Sequence, residues 1–528
     1  MGMGNRTFYG LGSTLTISLV AKFALFLAGV AVIGLTSTRG QLTACGSTAP
    51  GNPPIFSAPF PDAEAYTDYR DLYLRCLVNP FLSGRSAYNL PIVYNYPPLF
   101  LYLLSAFAEI GYIWGSAIPL VLFDALTVIP LYLIAKEFIF HGDKKKAFAV
   151  SLLWIFNPLN LFYNDLMWLN PGPTTFFLVL SIYLFLKQSW IGSSLSLAIS
   201  TGLKQPAVLI FPIFLVWMIR MPGISRKKIL AFTLLYISAL VVISTPYVFQ
   251  EPQTYFWALQ LPIFGSPPGA SSGYPATFVY DLSQPTRLTT FFGLVQFVNL
   301  KSFAVSSYYA LNDVFGVAYA ILLLQLGVGL GNLWKLLRYY AAVAKSRITH
   351  GFRSSAGSIS APVITDGQSL SANNLLVYCL TAMLLMLSLF GRGSYKYYFA
   401  GITPLALPLF ASRRGGIIFE VFCAALILLP REVTPWFGIL MITMIPSMIG
   451  RSETSPASFE GTEVNPSLEK LGTKNEGTTD RLQQLVSPAR IISVAKRSQS
   501  VLKRTRCDQG AGECGISVDK KTSGLVVG

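Results

Sequence analysis

Grouped carboxylates, cations set at breaks in apolar runs, and tyrosines beside both are the side chains in this sequence that could do chemistry. Asp62 and Glu64 open an acidic, tyrosine-rich stretch, Pro61-Asp62-Ala63-Glu64-Ala65-Tyr66-Thr67-Asp68-Tyr69-Arg70-Asp71, in a chain otherwise poor in acids. Asp68 and Asp71 have Arg70 and Arg75 close by and read as a solvated helical face. Asp62 and Glu64 precede that face without an evident partner, so either is placed to serve as a general base. A second carboxylate, Asp165, closes an apolar run in Asn164-Asp165-Leu166-Met167-Trp168-Leu169-Asn170. Asp124 lies inside an apolar run, where a carboxylate is costly enough to be functional or specifically paired. Pairing is the reading we favour.

The cations fall at comparable breaks. Lys204 sits in Gly202-Leu203-Lys204-Gln205-Pro206, and Arg392 and Lys396 in Gly391-Arg392-Gly393-Ser394-Tyr395-Lys396-Tyr397-Tyr398. Such residues often merely snorkel to the interface. Gathered with two carboxylates at the ends of different helices, however, they would suit a buried phosphate and a hydroxyl losing its proton. Tyr94-Asn95-Tyr96-Pro97-Pro98-Leu99 is a turn with an aromatic anchor. The two histidines, His141 and His350, fall in segments expected on the opposite face, which disfavours zinc hydrolysis and histidine triads. The six cysteines show no metal spacing; Cys45 and Cys76 share one polar loop and are either bonded or two free thiols.

Membrane-spanning helices must position these groups. Of 528 residues, 52% are hydrophobic and 12% charged, against about 25% charged in soluble domains, and mean hydropathy is +0.52. A water-soluble multidomain enzyme is excluded, and period-two barrel alternation is absent. Apolar runs start near Thr14, Ser116, Ala147, Pro171, Trp190, Pro206, Ile229, Asn312, Asn374, Phe399, Gly416 and Trp436. They are twelve expected crossings, the first too long and without the cleavage site of a signal peptide. The net charge of +16 comes from short basic connectors. If the run from Tyr96 to Trp114 lies along the interface, Lys144 to Lys146, Arg226 to Lys228, Arg338 to Arg353 and Arg413-Arg414 share the cytoplasmic side. The expected organisation is a membrane domain over 1–448 with extracytoplasmic loops at 37–115 and 246–311. A cytoplasmic linker at 354–373 and a disordered cytoplasmic tail at 449–528 complete it.

In order, Asp62-Ala63-Glu64-Ala65, Tyr96-Pro97-Pro98-Leu99, Asp124 followed by Pro130, Asn157-Pro158, Asp165 and Lys204-Gln205 resemble the GT-C glycosyltransferases. The dolichyl-phosphate-glucose glucosyltransferases, glycosyltransferase family 57, are the nearest resemblance. It runs from about Asp62 to Pro206. Two histidines that the family carries after its Asp are absent here, and of its late His-Glu-Lys only Lys396 has a counterpart. The resemblance implies an all-α integral membrane bundle of the GT-C type with about 12 helices and long extracytoplasmic loops. It implies transfer of a hexose, glucose or mannose, from a polyprenyl- or dolichyl-phosphate sugar to a lipid-linked oligosaccharide, with inversion. Asp62 would be the catalytic base, with Glu64 and Asp165 as acidic support. Lys204, Arg392 and Lys396 would hold the donor phosphate, and Tyr96, Pro97, Pro98, Gln205 and Tyr395 would shape the substrate loop. No metal, cofactor or nucleic acid is implied, and the expected state is a monomer in the bilayer. The membrane is that of the endoplasmic reticulum in a eukaryote or the plasma membrane in an archaeon, with the site lumenal or extracellular. A transporter or lipid flippase is the rival class. An oligosaccharyltransferase catalytic subunit shares the architecture, but its Trp-Trp-Asp-Tyr-Gly motif and large outer C-terminal domain have no counterpart here.

Overall fold

The computed structural model describes residues 9–34, 69, 73, 74, 77–84, 86, 88, 96–111, 114–169, 171–259, 301–328, 371–389, 396–410, 413–429 and 436–444. Among them every regular element is a helix. In chain order we number α1 (Leu11–Gly34), α2 (Pro98–Ala108), α3 (Ile118–Ile139), α4 (Lys144–Ile155), α5 (Pro171–Leu186), α6 (Trp190–Leu203), α7 (Gln205–Arg220), α8 (Arg226–Gln250), α9 (Pro252–Ala258), α10 (Lys301–Val328), α11 (Ala372–Leu389), α12 (Lys396–Ala406) and α13 (Arg413–Leu428). A further helix occupies 436–444.

Each of the twelve expected runs starts in, or within two residues of, one of these helices. Three are long and apolar enough to cross a bilayer, Leu11–Ala31, Ile118–Ile139 and Arg226–Gln250, and six further apolar helices are shorter. The chain is a helical membrane protein by these segments. Helix α2, expected along the interface, has 11 residues, about 16 Å of rise against a hydrocarbon thickness of about 30 Å. Its Phe100, Leu101 and Leu104 are buried, and it packs against α3, α6 and α8.

Local chemistry sets the helix ends. Asp143 accepts from the backbone N–H groups of Lys145 and Lys146 at 3.0 and 3.1 Å and so starts α4. Asn157 then caps the next turn through the Asn160 N–H at 3.3 Å, and Pro158 begins it. The chain continues as wide π-helical turns over Leu161–Leu166. A change of backbone course at this point is what later brings Asn164 and Asp165 inward.

The centre of the bundle is the α5–α6 hairpin with α8 and α3 against it. Helix α6 is rich in serine, and its hydroxyls bond across to neighbours. Ser193 donates to the Ser181 carbonyl at 2.9 Å, Ser194 to that of Phe232 at 2.8 Å, and Ser200 to that of Thr174 at 2.8 Å. Thr201 and the Tyr236 hydroxyl lie 2.9 Å apart. Small hydroxyl residues let the backbones approach while these four hydroxyls find partners, the usual device where lipid supplies no hydrophobic drive. Gly172 permits the contact of α5 with α3. A Cβ there would collide with the Leu120 carbonyl oxygen and press on Asp124 Cβ at 3.2 Å.

Candidate functional site

Two buried lysines anchor the polar chemistry of the described residues. Lys204 follows the last turn of α6 with an extended backbone (φ −158°, ψ 129°), at the break expected from Gly202 to Pro206. Its side chain is 4% exposed. The ammonium lies 3.8 Å from the ring centre of Tyr398, 5.0 Å from that of Tyr397 and 5.6 Å from that of Tyr96. Each face offers the negative side of an aromatic quadrupole. Tyr96 is held in turn by the Tyr88 hydroxyl, which donates to its carbonyl at 2.8 Å. Beside Lys204 runs a cleft walled by Leu178, Pro206, Met383 and Met386, with Thr174, Thr175 and Tyr398 as its hydroxyl-bearing side chains.

The structure therefore joins three segments that the sequence set far apart: Tyr96-Pro97-Pro98, Lys204-Gln205 and the first turn of α12, which Lys396 opens. Pro97 and Pro98 are buried and Gln205 half-buried. For Lys396 the backbone alone is described. Asp62, Glu64, Arg392 and Tyr395 lie outside the described residues, as do Cys45, Cys76 and the tail.

The second lysine is one that sequence reasoning passed over. Lys22 is the sole charged residue of α1, and it is fully buried between Asp124 of α3 and Asp165. Its Nζ donates to Asp124 Oδ2, and to Asp165 Oδ2 at 2.9 Å. Asn164 Nδ2 donates to Asp124 Oδ1 at 2.8 Å, and the Trp154 ring centre lies 5.3 Å from the ammonium. Asp124 is thus paired, as expected. Asp165, expected as acidic support near Asp62, has one oxygen taken by Lys22 and is not exposed at all.

Helix α1 is drawn close along one stripe. Ser18 donates to the Ala125 carbonyl at 2.9 Å, and Phe26 packs on Trp168 with ring centres 5.5 Å apart. A Cβ at Gly29 would stand 3.0 Å from both the Leu166 carbonyl oxygen and the Trp168 ring. Trp168 itself adopts φ +55°, a left-handed conformation uncommon for a bulky residue and held here by complete burial. The signal that would have found Lys22 is plain in retrospect: one ionisable residue in a 24-residue apolar helix needs a partner.

A family model described as GPI transamidase subunit PIG-U matches residues 76–264. This is a different family from the glucosyltransferases that the motifs resemble. The matched stretch includes Tyr96, Asp124, Asp165 and Lys204, and excludes Lys22, Asp62, Glu64, Arg392 and Lys396. No curated protein matches the chain. Among solved structures, an oligosaccharyltransferase of Archaeoglobus fulgidus, tethered to an acceptor peptide containing the NVT sequon, is 13% identical with a TM-score of 0.35. That alignment covers 84% of this chain and 54% of the other, so the chain spans about half the length of that structure. What stands is a helical membrane protein, about a third of which is similar to a GPI transamidase subunit.

Proposed function

We propose that this chain is a membrane-embedded subunit of a transferase assembly of the GPI transamidase kind, and that its Lys204 cleft binds the phosphate of a lipid-linked glycan. The observation that carries the proposal is a buried ammonium in the wall of an apolar, methionine-lined cleft. An amphiphilic anion satisfies both halves of such a site: its phosphate meets the cation and its chain meets Leu178, Met383 and Met386. The ring faces of Tyr96, Tyr397 and Tyr398 flank the ammonium. Thr174, Thr175 and Tyr398 bring hydroxyls to the cleft that suit phosphate or sugar oxygens. Among the described residues the cleft is lined by no carboxylate, which suits binding and presentation of the lipid.

A second reading keeps the transfer step in this chain. Its support is that Tyr96 and Lys204, from two of the motifs shared with the glucosyltransferases, come together, the ammonium 5.6 Å from the ring centre. On that reading a polyprenyl-phosphate hexose is the donor and the lipid-linked oligosaccharide the acceptor. Asp62 takes the proton of the acceptor hydroxyl, whose oxygen displaces the phosphate at the anomeric carbon with inversion, and the phosphate leaves toward Lys204, Arg392 and Lys396.

Equilibrium binding of a GPI-type lipid and of a polyprenyl-phosphate sugar to purified protein in nanodiscs, with Asp62→Asn and Lys204→Gln variants, tests both. The proposal expects Lys204→Gln to weaken binding of a lipid phosphate and Asp62→Asn to leave it unchanged, with no hexose transfer by the wild type alone. Hexose transfer that Asp62→Asn abolishes establishes the second reading. Undiminished lipid-phosphate binding by Lys204→Gln overturns both.

A further inference from the structure

We infer that Asp124 and Asp165 share one proton beneath Lys22, so that the cluster is a membrane-buried proton site, neutral as folded. Three charged side chains meet there with no exposed surface on any of them. One ammonium faces two carboxyl groups, whose Oδ2 atoms both accept from its Nζ. Fully ionised, the cluster would carry one uncompensated negative charge in a dry site, the arrangement that low-dielectric interiors tolerate least. Two carboxylates held this close ordinarily keep a proton between them.

The hydrogen-bond inventory points the same way. Asp165 Oδ1 and Asn164 Oδ1 are both buried acceptors without a donor. Asn164 cannot turn its oxygen away from the cluster without giving up the bond its Nδ2 makes to Asp124. An acid O–H adds one donor where the set is short of donors. Among the described residues a second cation is not at hand. Helix α5 is without charged residues, and α1 and the 158–169 segment bring only Lys22 and Asp165. On α3, Lys136 and Glu137 lie about 18 Å or more beyond Asp124 at about 1.5 Å per residue. On α4, Lys144 to Lys146 occupy the first turn, while Trp154, the residue over Lys22, is near the last. The ammonium already occupies the point between the carboxyl groups, so a proton is the cation that fits. It is taken up from water as the helices assemble and stays on the acid pair.

Asparagine copies the shape of a neutral carboxylic acid, which makes the inference testable on the full chain. With one Asp changed to Asn, Lys22 still faces one carboxylate and the cluster stays neutral. Asp124→Asn and Asp165→Asn should each keep an unfolding midpoint near that of wild type in detergent, while the double variant, leaving Lys22 alone, should lose it. The direct readout is infrared absorption of wild-type protein carrying carbon-13 aspartate. A protonated aspartic acid carbonyl band is expected at neutral pH, and each single Asn variant should abolish it. Absence of that band from wild type overturns the inference whatever the variants do. So do single Asn variants as destabilised as Lys22→Met, since both carboxylates would then be needed in charged form.

Discussion

Lys22 and Lys204 are both buried ammonium groups in a helical membrane protein, yet their surroundings differ in kind. Around Lys22 the charge is met by Asp124 and Asp165 inside one closed packing of α1, α3 and the 158–169 segment. Around Lys204 the nearest ring faces are Tyr398, Tyr397 and Tyr96, and a cleft opens beside them. A lysine matched to carboxylates is committed to the fold. On the proposed function Lys204, in the wall of a cleft, meets the phosphate of an incoming lipid, so the same residue type would serve architecture in one place and binding in the other.

The largest effect should come from breaking the first lysine. Lys22→Met removes one partner from a buried ionic cluster, which costs about 3 to 5 kcal/mol because the remaining charge is stranded. Thermal unfolding in detergent should show a large drop. Adding Asp124→Asn and Asp165→Asn to Lys22→Met should recover most of the loss, since no charge is then left unmatched. If the triple variant is no better than Lys22→Met, the loss lies in the packing of α1 against Trp154 and not in charge.

The second lysine should behave in the opposite way. Lys204→Gln should leave the unfolding midpoint nearly unchanged and weaken binding of a lipid phosphate by about 10-fold to 100-fold, the equivalent of about 1.5 to 3 kcal/mol for one charge-assisted bond. Lys204→Arg should restore part of this, because a planar fork presents its donors differently from a compact ammonium. A large loss of stability with Lys204→Gln would erase the contrast between the two sites.

Gly172 tests whether the closed packing around Lys22 depends on close helix approach. The Cβ added by Gly172→Ala would strike the Leu120 carbonyl, a backbone atom with little room to yield, and crowd Asp124. Overpacking of this sort costs about 1 to 3 kcal/mol. The drop should appear in the unfolding midpoint, and lipid-phosphate binding per folded molecule should be unchanged.

How much of this was legible in the sequence differs between the two sites. Lys204 was readable because Gly202 and Pro206 mark a helix break around a lone cation, and Tyr96-Pro97-Pro98 was readable as an aromatic turn. That these two and the start of α12 converge was not, since nothing local encodes contacts across a hundred residues or more. Asp124 announced a partner by its depth in an apolar run, but the partner came from α1, where the apolar run around Lys22 hid its one charge. Run counting also overstated helix length. Apolar residues continue from Ala147 to Leu169 with few interruptions, yet Asn157-Pro158 ends α4 at Ile155 and the chain proceeds in wider turns. Hydropathy cannot see that break, although the dipeptide states it.

The smallest effect should come from Ser200, four residues before Lys204. Its hydroxyl donates to the Thr174 carbonyl at 2.8 Å, and Thr174 lines the cleft beside Lys204. Hydrogen bonds between membrane helices average about 0.6 kcal/mol, and Ser200→Ala leaves the carbonyl its own helical partner, so the unfolding midpoint should barely move. The hydroxyl nonetheless fixes the spacing of α5 and α6 at the cleft, and a small shift there moves Lys204 relative to Thr174 and Thr175. Lipid-phosphate binding should therefore fall by roughly threefold, the equivalent of about 0.6 kcal/mol. The matching change at the other end of the same pair of helices, Ser193→Ala, breaks the bond to Ser181 and should cost similar stability with no loss of binding. Equal binding losses for the two variants would mean that helix spacing as a whole, and not the position of Lys204 at its cleft, sets affinity.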